Sequence, residues 1–239
     1  MNQNKTNVLV VRFTNHLTVV EIPYFRGAVL AALGNQTDLL FHNHTNDGFR
    51  YAYPLIQYKS IHGKAAIVCI GEGTGRIGNF FTHLHEPLKI GNREMLLELE
   101  NIKSSAPLIQ VWNAKFLYSL RKWLPLNQEN RNKYECMNDL NERILFFEKI
   151  LTGNILSFAK GLGIHFEKQV TCGITQLEEK GVMRHKKINF ETFDIEFWSN
   201  VSLPNYIGLG KGVSHGFGTC IRINDHCTVQ NEESHNDNE

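Results

Sequence analysis

Gly208-Leu-Gly-Lys-Gly212-Val-Ser-His-Gly216-Phe-Gly218 is the stretch from which the rest of this chain is best read. Glycine stands at 208, 210, 212, 216 and 218, a density that costs a packed helix or strand too much backbone entropy, so a loop is expected. A backbone without side chains can approach a ligand closely and turn its N–H groups outward. Lys211, Ser214 and His215 add donors suited to phosphate oxygens. A plain surface hairpin is the competing reading of such a segment.

Working outward, Ile164–Ile174, Gly181–Lys187, Phe190–Val201 and Gly218–Ile223 are strand-like and mostly too close together for helical crossovers, which implies antiparallel pairing. Ahead of them, Leu140, Ile144, Phe147, Leu151, Ile155 and Phe158 recur at helical spacing from Asp139 to Leu162, and Gly161 and Gly163 end the pattern. In the N-terminal half, Asn7–Phe13 reads as a strand, and Arg26–Leu33, after Pro23 and before Gly34, as a helix. Phe49–Lys59 and Lys64–Ile70 read as strands joined at His62-Gly63. Ile77–Leu84 is a short helix, and Arg93–Ile102 is a strand or a helix. This β-α-β-β-α-β order fits a ferredoxin-like unit. Ile109–Met137, with its polar run Asn127–Asn132, reads as a connection. The expected fold is therefore α+β, two tandem ferredoxin-like domains with antiparallel sheets over 1–137 and 138–224, then a disordered polar tail over 225–239.

Composition narrows the function classes. With 239 residues and 42% hydrophobic content the chain can bury real cores without staples. Lys plus Arg total 25 against 24 Asp plus Glu, so any nucleic-acid site must be a local patch. Five cysteines, Cys69, Cys136, Cys172, Cys220 and Cys227, are scattered without a CxxC pair, which argues against a disulfide framework or a structural zinc site. The polar start Met1–Lys5 and the lack of a long apolar run point to a cytoplasmic protein with no signal peptide or membrane contact. In that compartment the sequons at Asn35, Asn43 and Asn200 carry no glycan.

The run from Gly208 to Gly218, followed by Thr219-Cys-Ile-Arg-Ile223, resembles the glycine-rich loop and final strand of the CRISPR repeat-processing endoribonucleases of the RAMP superfamily. Arg26–Leu33, Leu40-Phe-His42-Asn-His44 and Phe49–Leu55 resemble that family's first helix, catalytic histidine region and following strand; residues 85–135 match only weakly. The resemblance implies a domain pair that binds and cuts CRISPR repeat RNA in antiviral defence, with Gly208, Gly210, Lys211, Gly212, Ser214, His215, Gly216 and Gly218 on the RNA. It also implies chemistry without metal or cofactor, and admits other CRISPR effector proteins or a second copy as partners. In such cleavage the 2′-hydroxyl attacks phosphorus, so a base, an acid and positive charge are needed. His44, with His42 close behind, suits the acid–base roles, and Arg50 the charge, since an arginine does not give up its proton. Tyr51 and Tyr53 are candidates for RNA or for the core, and Lys64, Arg121 and Lys122 are weaker candidates for the RNA surface.

Three other readings stay open. A RAMP protein that binds RNA without cutting would carry the same loop. His42, His44, His83 and His85 form two His-x-His pairs, though no carboxylate or cysteine completes a ligand set. Gly73, Gly75 and Gly78 follow an apolar strand in a GxGxxG pattern with Glu98 beyond, which mimics a dinucleotide site but requires a parallel sheet.

Overall fold

The structure is a computed structural model that describes residues 4–34, 44–45, 48–49, 53–185 and 188–223. The first unit runs β1 (Val8–His16), α1 (Ile22–Leu33), β2 (His44–Thr45), β3 (Gly48–Phe49), β4 (Ile56–Ile61), β5 (Lys64–Ile70), α2 (Gly73–Arg76), α3 (Gly78–Phe81), β6 (Leu88–Ile90), β7 (Arg93–Met95) and β8 (Leu99–Ser105). Its main sheet has the order β4-β5-β1-β8 with every neighbour antiparallel, the ferredoxin-like arrangement expected. Gly34 caps α1 at its expected end, while the start at Ile22, with Pro23 in the first turn, lies one turn ahead of the expected Arg26. The β4–β5 hairpin turns at His62 (φ 52°) and Gly63 (φ 76°), a pair of positive φ values that matches strand twist in a two-residue loop. The single strand expected over 49–59 is instead the short β3 and the separate β4.

β5 explains how this unit meets the next. Ala65, Ile67 and Cys69 pack with Phe25 and Val29 of α1, while Ala66, Val68 and Ile70 on the opposite face join the core of the second unit. A strand covered on both sides reads as an unbroken apolar run rather than an alternation.

The second unit contains β9 (Val111–Trp123), α4 (Gln128–Glu135), α5 (Leu140–Gly161), β10 (Cys172–His185), β11 (Ile188–Val201) and β12 (Thr219–Arg222), with sheet order β10-β11-β9-β12. By position along the chain this is again second, third, first, fourth. It corrects the reading of 109–137 as a connection: β9 pairs with both β11 and β12 and is an inner strand. Its burial neither alternates nor persists, because only its second half lies in the core. Sheet membership thus changes between β8 and β9, ahead of the boundary expected at 137. The polar run 127–132 is the start of α4, capped by the Asn127 side chain accepting from the Asn130 N–H at 2.7 Å. α5 matches its reading and buries Phe147, Leu151, Ile155 and Phe158. Of the strands expected at 164–174 and 181–187, residues 164–171 are not strand, and the other described residues belong to the one strand β10, bulged near Gly181 (φ 84°). The tail from 224 onward lies outside the described residues.

The dinucleotide reading fails on topology. Gly73, Gly75 and Gly78 lie in α2 and α3, and β5 is antiparallel to both its neighbours, so the parallel sheet that such a site requires is missing from this unit. Among the described residues no helix is long and apolar enough to cross a membrane.

Candidate nucleic-acid interface

Between β11 and β12, where a ferredoxin-like unit has its second helix, this chain has the glycine-rich segment with a single 3-10 turn at Val213–His215. The segment folds back along β12: the Leu209 N–H donates to the Gly218 carbonyl at 2.8 Å, and the Cys220 N–H to Ile207 at 2.8 Å. It is no loose hairpin. Leu209, Val213 and Phe217 are buried and anchor it from within. Gly218 (φ 59°) shows why glycine is required, since a Cβ there would lie 1.9 Å from the Leu209 carbonyl oxygen. Gly208 and Gly212 are similarly close to Val213 and Phe217, and Gly210 to Trp123 and Asn154.

The segment also touches the first unit. Gly216 (φ 85°) rests on α1 and β4, where an added Cβ would meet the Ile22 Cδ1 at 2.5 Å and the Tyr58 carbonyl at 3.4 Å. The Tyr53 hydroxyl donates to the Gly208 carbonyl at 2.8 Å, and Gln57 Nε2 donates to the same hydroxyl at 2.9 Å. Burial pushes the Tyr53 phenol above its ordinary range, so it stays a neutral donor. Tyr53 is thus a strut between the units rather than an RNA ligand. Tyr51 lies outside the described residues.

Solvent sees the tip. The N–H groups of Leu209, His215, Gly216, Phe217 and Gly218 are engaged by the chain's own backbone, whereas those of Gly210, Lys211 and Gly212 have no partner among the described residues. Lys211 is exposed with its ammonium 5.3 Å from the centre of the Phe190 ring, and partial burial holds its pKa below the ordinary lysine value. Ser214 Oγ lies 3.1 Å from His215 Nδ1. Of the eight loop residues expected on RNA, Gly208 and Gly218 are buried in the packing of the segment, Lys211 is exposed, and Gly210, Gly212, Ser214, His215 and Gly216 are half-buried.

The expected catalytic residues are less fully placed. His44 stands on β2, its backbone paired with Phe49 of β3, just beyond α1 in the chain. His42 and Arg50 lie outside the described residues. Of the weaker cationic candidates, Lys64 is paired with Glu100 at 2.6 Å, Arg121 with Asp194 at 3.2 Å, and Lys122 donates its own N–H to Asp194 at 2.7 Å.

Two cations that sequence reasoning passed over flank the seam. Lys59 on β4 is 1% exposed, its ammonium without a hydrogen-bond partner among the described residues, and burial lowers its pKa to about 7 against an opposing influence of Cys220 on β12. Arg26 on α1 has its Nε buried and without a hydrogen-bond partner among the described residues. In sequence Lys59 sits at an alternating polar position of Ile56–Ile61, which reads as a solvent face; only the second unit covers it.

Comparison with known proteins follows the two-sheet division. A family model described as the Cas6b N-terminal domain matches residues 4–106 and one described as the Cas6b C-terminal domain matches residues 110–223. The chain belongs to the Cas6b family, of the CRISPR repeat-processing RAMP type. A crystal structure of Cas6b superposes with a TM-score of 0.83 at 27% identity over 92% of this chain and 100% of that one. A second, of a CRISPR RNA processing endoribonuclease Cas6b, gives 0.71 at 24% over the same shares. An uncharacterized protein of Methanocaldococcus jannaschii is 38% identical over 103 residues, which are 43% of this chain and 69% of that protein. The Cas6b models meet between 106 and 110, where sheet membership changes.

Proposed function

We propose that this protein is a cytoplasmic endoribonuclease that binds CRISPR repeat RNA along the glycine-rich ridge and cuts it without metal. The observation that carries the reading is the ridge itself: the exposed Lys211 and three amides without a partner among the described residues lie on a segment packed against both ferredoxin-like units of a Cas6b-family chain. Such donors suit phosphate oxygens and carry no base information, so the ridge holds the RNA backbone. A Cas6b that shares this fold is described as a CRISPR RNA processing endoribonuclease.

For the reaction, the 2′-hydroxyl of the RNA attacks the adjacent phosphorus and the 5′-oxygen leaves. His44 and His42 take the proton from the first and supply one to the second, and Arg50 stabilises the charge on the phosphorane. The products are a 2′,3′-cyclic phosphate and a 5′-hydroxyl. The test is incubation with repeat RNA in chelator: a single cut is expected, none with a 2′-deoxyribose at the cleavage site, and roughly 10² to 10⁴ slower single-turnover cleavage for His44→Ala. Full-rate cleavage by the His42→Ala, His44→Ala double variant would place the active site elsewhere. Tight binding with no cut by the wild-type protein would identify a non-catalytic RNA-binding RAMP protein.

A further inference from the structure

Arg26 differs from four other arginines of this protein, each of which has a carboxylate partner. Arg12 pairs with Glu100 at 2.5 Å, Arg93 with Glu21 at 2.9 Å, Arg131 with Glu191 at 2.6 Å and Arg121 with Asp194 at 3.2 Å. Arg26 has no carboxylate partner among the described residues, and its Nε is buried without a hydrogen bond. The group that acts on it electrostatically is the Tyr58 phenol, itself fully buried with its hydroxyl unpartnered. Burial holds the guanidinium below its ordinary pKa, as expected for a cation taken from water with no counter-charge. Such an arrangement destabilises the free protein, and an anion that enters completes it.

Its place in the fold indicates which anion. Ile22, one helical turn before Arg26 on α1, is the side chain against which Gly216 of the ridge rests, and the Tyr58 carbonyl meets the same glycine. Arg26 therefore lies along the seam between α1, β4 and the ridge. The end of α1 at Leu33 is about 10 Å further along the helix and leads into the segment that carries His42 and His44. A guanidinium is planar and offers paired N–H groups that match two phosphate oxygens.

We propose that Arg26 is a phosphate-binding residue for RNA lying along this seam. This rests on the RNA-processing reading above. The test compares wild-type protein with Arg26→Met and Arg26→Lys in binding repeat RNA made uncleavable by a 2′-deoxyribose at the cut site, over a series of salt concentrations, alongside thermal unfolding. Arg26→Met is expected to bind roughly ten- to a hundredfold more weakly, with the slope of log K against log salt reduced by about 0.7 to 0.9, and to melt at the same or a higher temperature. Arg26→Lys is expected to keep the slope and lose part of the affinity. An Arg26→Met protein with unchanged affinity and slope would overturn the assignment, and one that melts several degrees lower would make Arg26 structural. Wild-type protein that binds and cuts normally while Arg26→Met matches it would sink this assignment alone. Wild-type protein that does not bind repeat RNA would remove the RNA-processing reading and this one together.

Discussion

Replacing Lys59 with methionine should stabilise the protein, and more so in acid than in base. The ammonium is buried between the units without a hydrogen-bond partner, and its pKa falls from 10.5 to about 7. Because the folded value lies below the unfolded one, the folded state holds fewer protons between about pH 7 and 10.5. Stability therefore rises with pH across that window: the penalty is full below about pH 7 and gone above about 10.5. At about 1.4 kcal/mol per tenfold change in acidity, the full penalty is roughly 4 to 5 kcal/mol. Methionine fills a similar volume with no charge to desolvate. Urea unfolding of both proteins at pH 6, 7.5, 9 and 10 should give Lys59→Met an advantage of roughly 2 to 4 kcal/mol at the acid end, after discount for relaxation around the charge, narrowing steadily towards pH 10. A methionine variant that is less stable at every pH, or an advantage that does not vary with pH, would refute the argument, because either result requires a partnered ammonium.

Lys211→Glu should weaken repeat-RNA binding roughly tenfold or more at low salt, with the cut site unchanged, as gel-shift titration would read. Gly216→Val cannot serve the same purpose, because its Cβ would press on Ile22 at a φ of 85°; a lowered melting temperature should accompany any loss of binding. Tyr53→Phe removes the hydroxyl that donates to Gly208 and accepts from Gln57, so destabilisation of about 1 to 3 kcal/mol is expected in chemical unfolding. A fragment of residues 1–109 bares Val8, Ile61, Ala66, Val68 and Ile70, which pack in the core of the second unit, so it should aggregate on expression more than the whole chain does.

Local signals were legible where local rules govern. The His62-Gly63 turn, the end of α5 at Gly161 and Gly163 and the glycines of the 208–218 segment follow from backbone chemistry, and each is found where the sequence places it. β9 was hidden because half of it projects beyond the core, so that neither alternation nor a continuous apolar run marks it. β10 was divided in two because Gly181, a break in the pattern, is a bulge and not an end. Arg26 and Lys59 were illegible for another reason: a charged side chain at a polar position of a helix or strand reads as a solvent position, and only tertiary packing buries the polar atoms of these two. The histidine pair was found through resemblance alone; nothing in its spacing distinguishes it from two imidazoles in a polar loop.

The tightness of the glycine ridge bears on how such chains are recognised by descent. Gly218 cannot gain a single methyl group without driving it into the Leu209 carbonyl, and this conflict lies wholly within the protein. Any descendant that keeps the architecture must keep that glycine, whether or not it still cuts a transcript. Inheritance of the motif is enforced by steric exclusion, so it certifies lineage and stays silent on turnover. A lineage that had lost its histidines would carry the same glycine signature, and a survey guided by the ridge alone would count it among the enzymes.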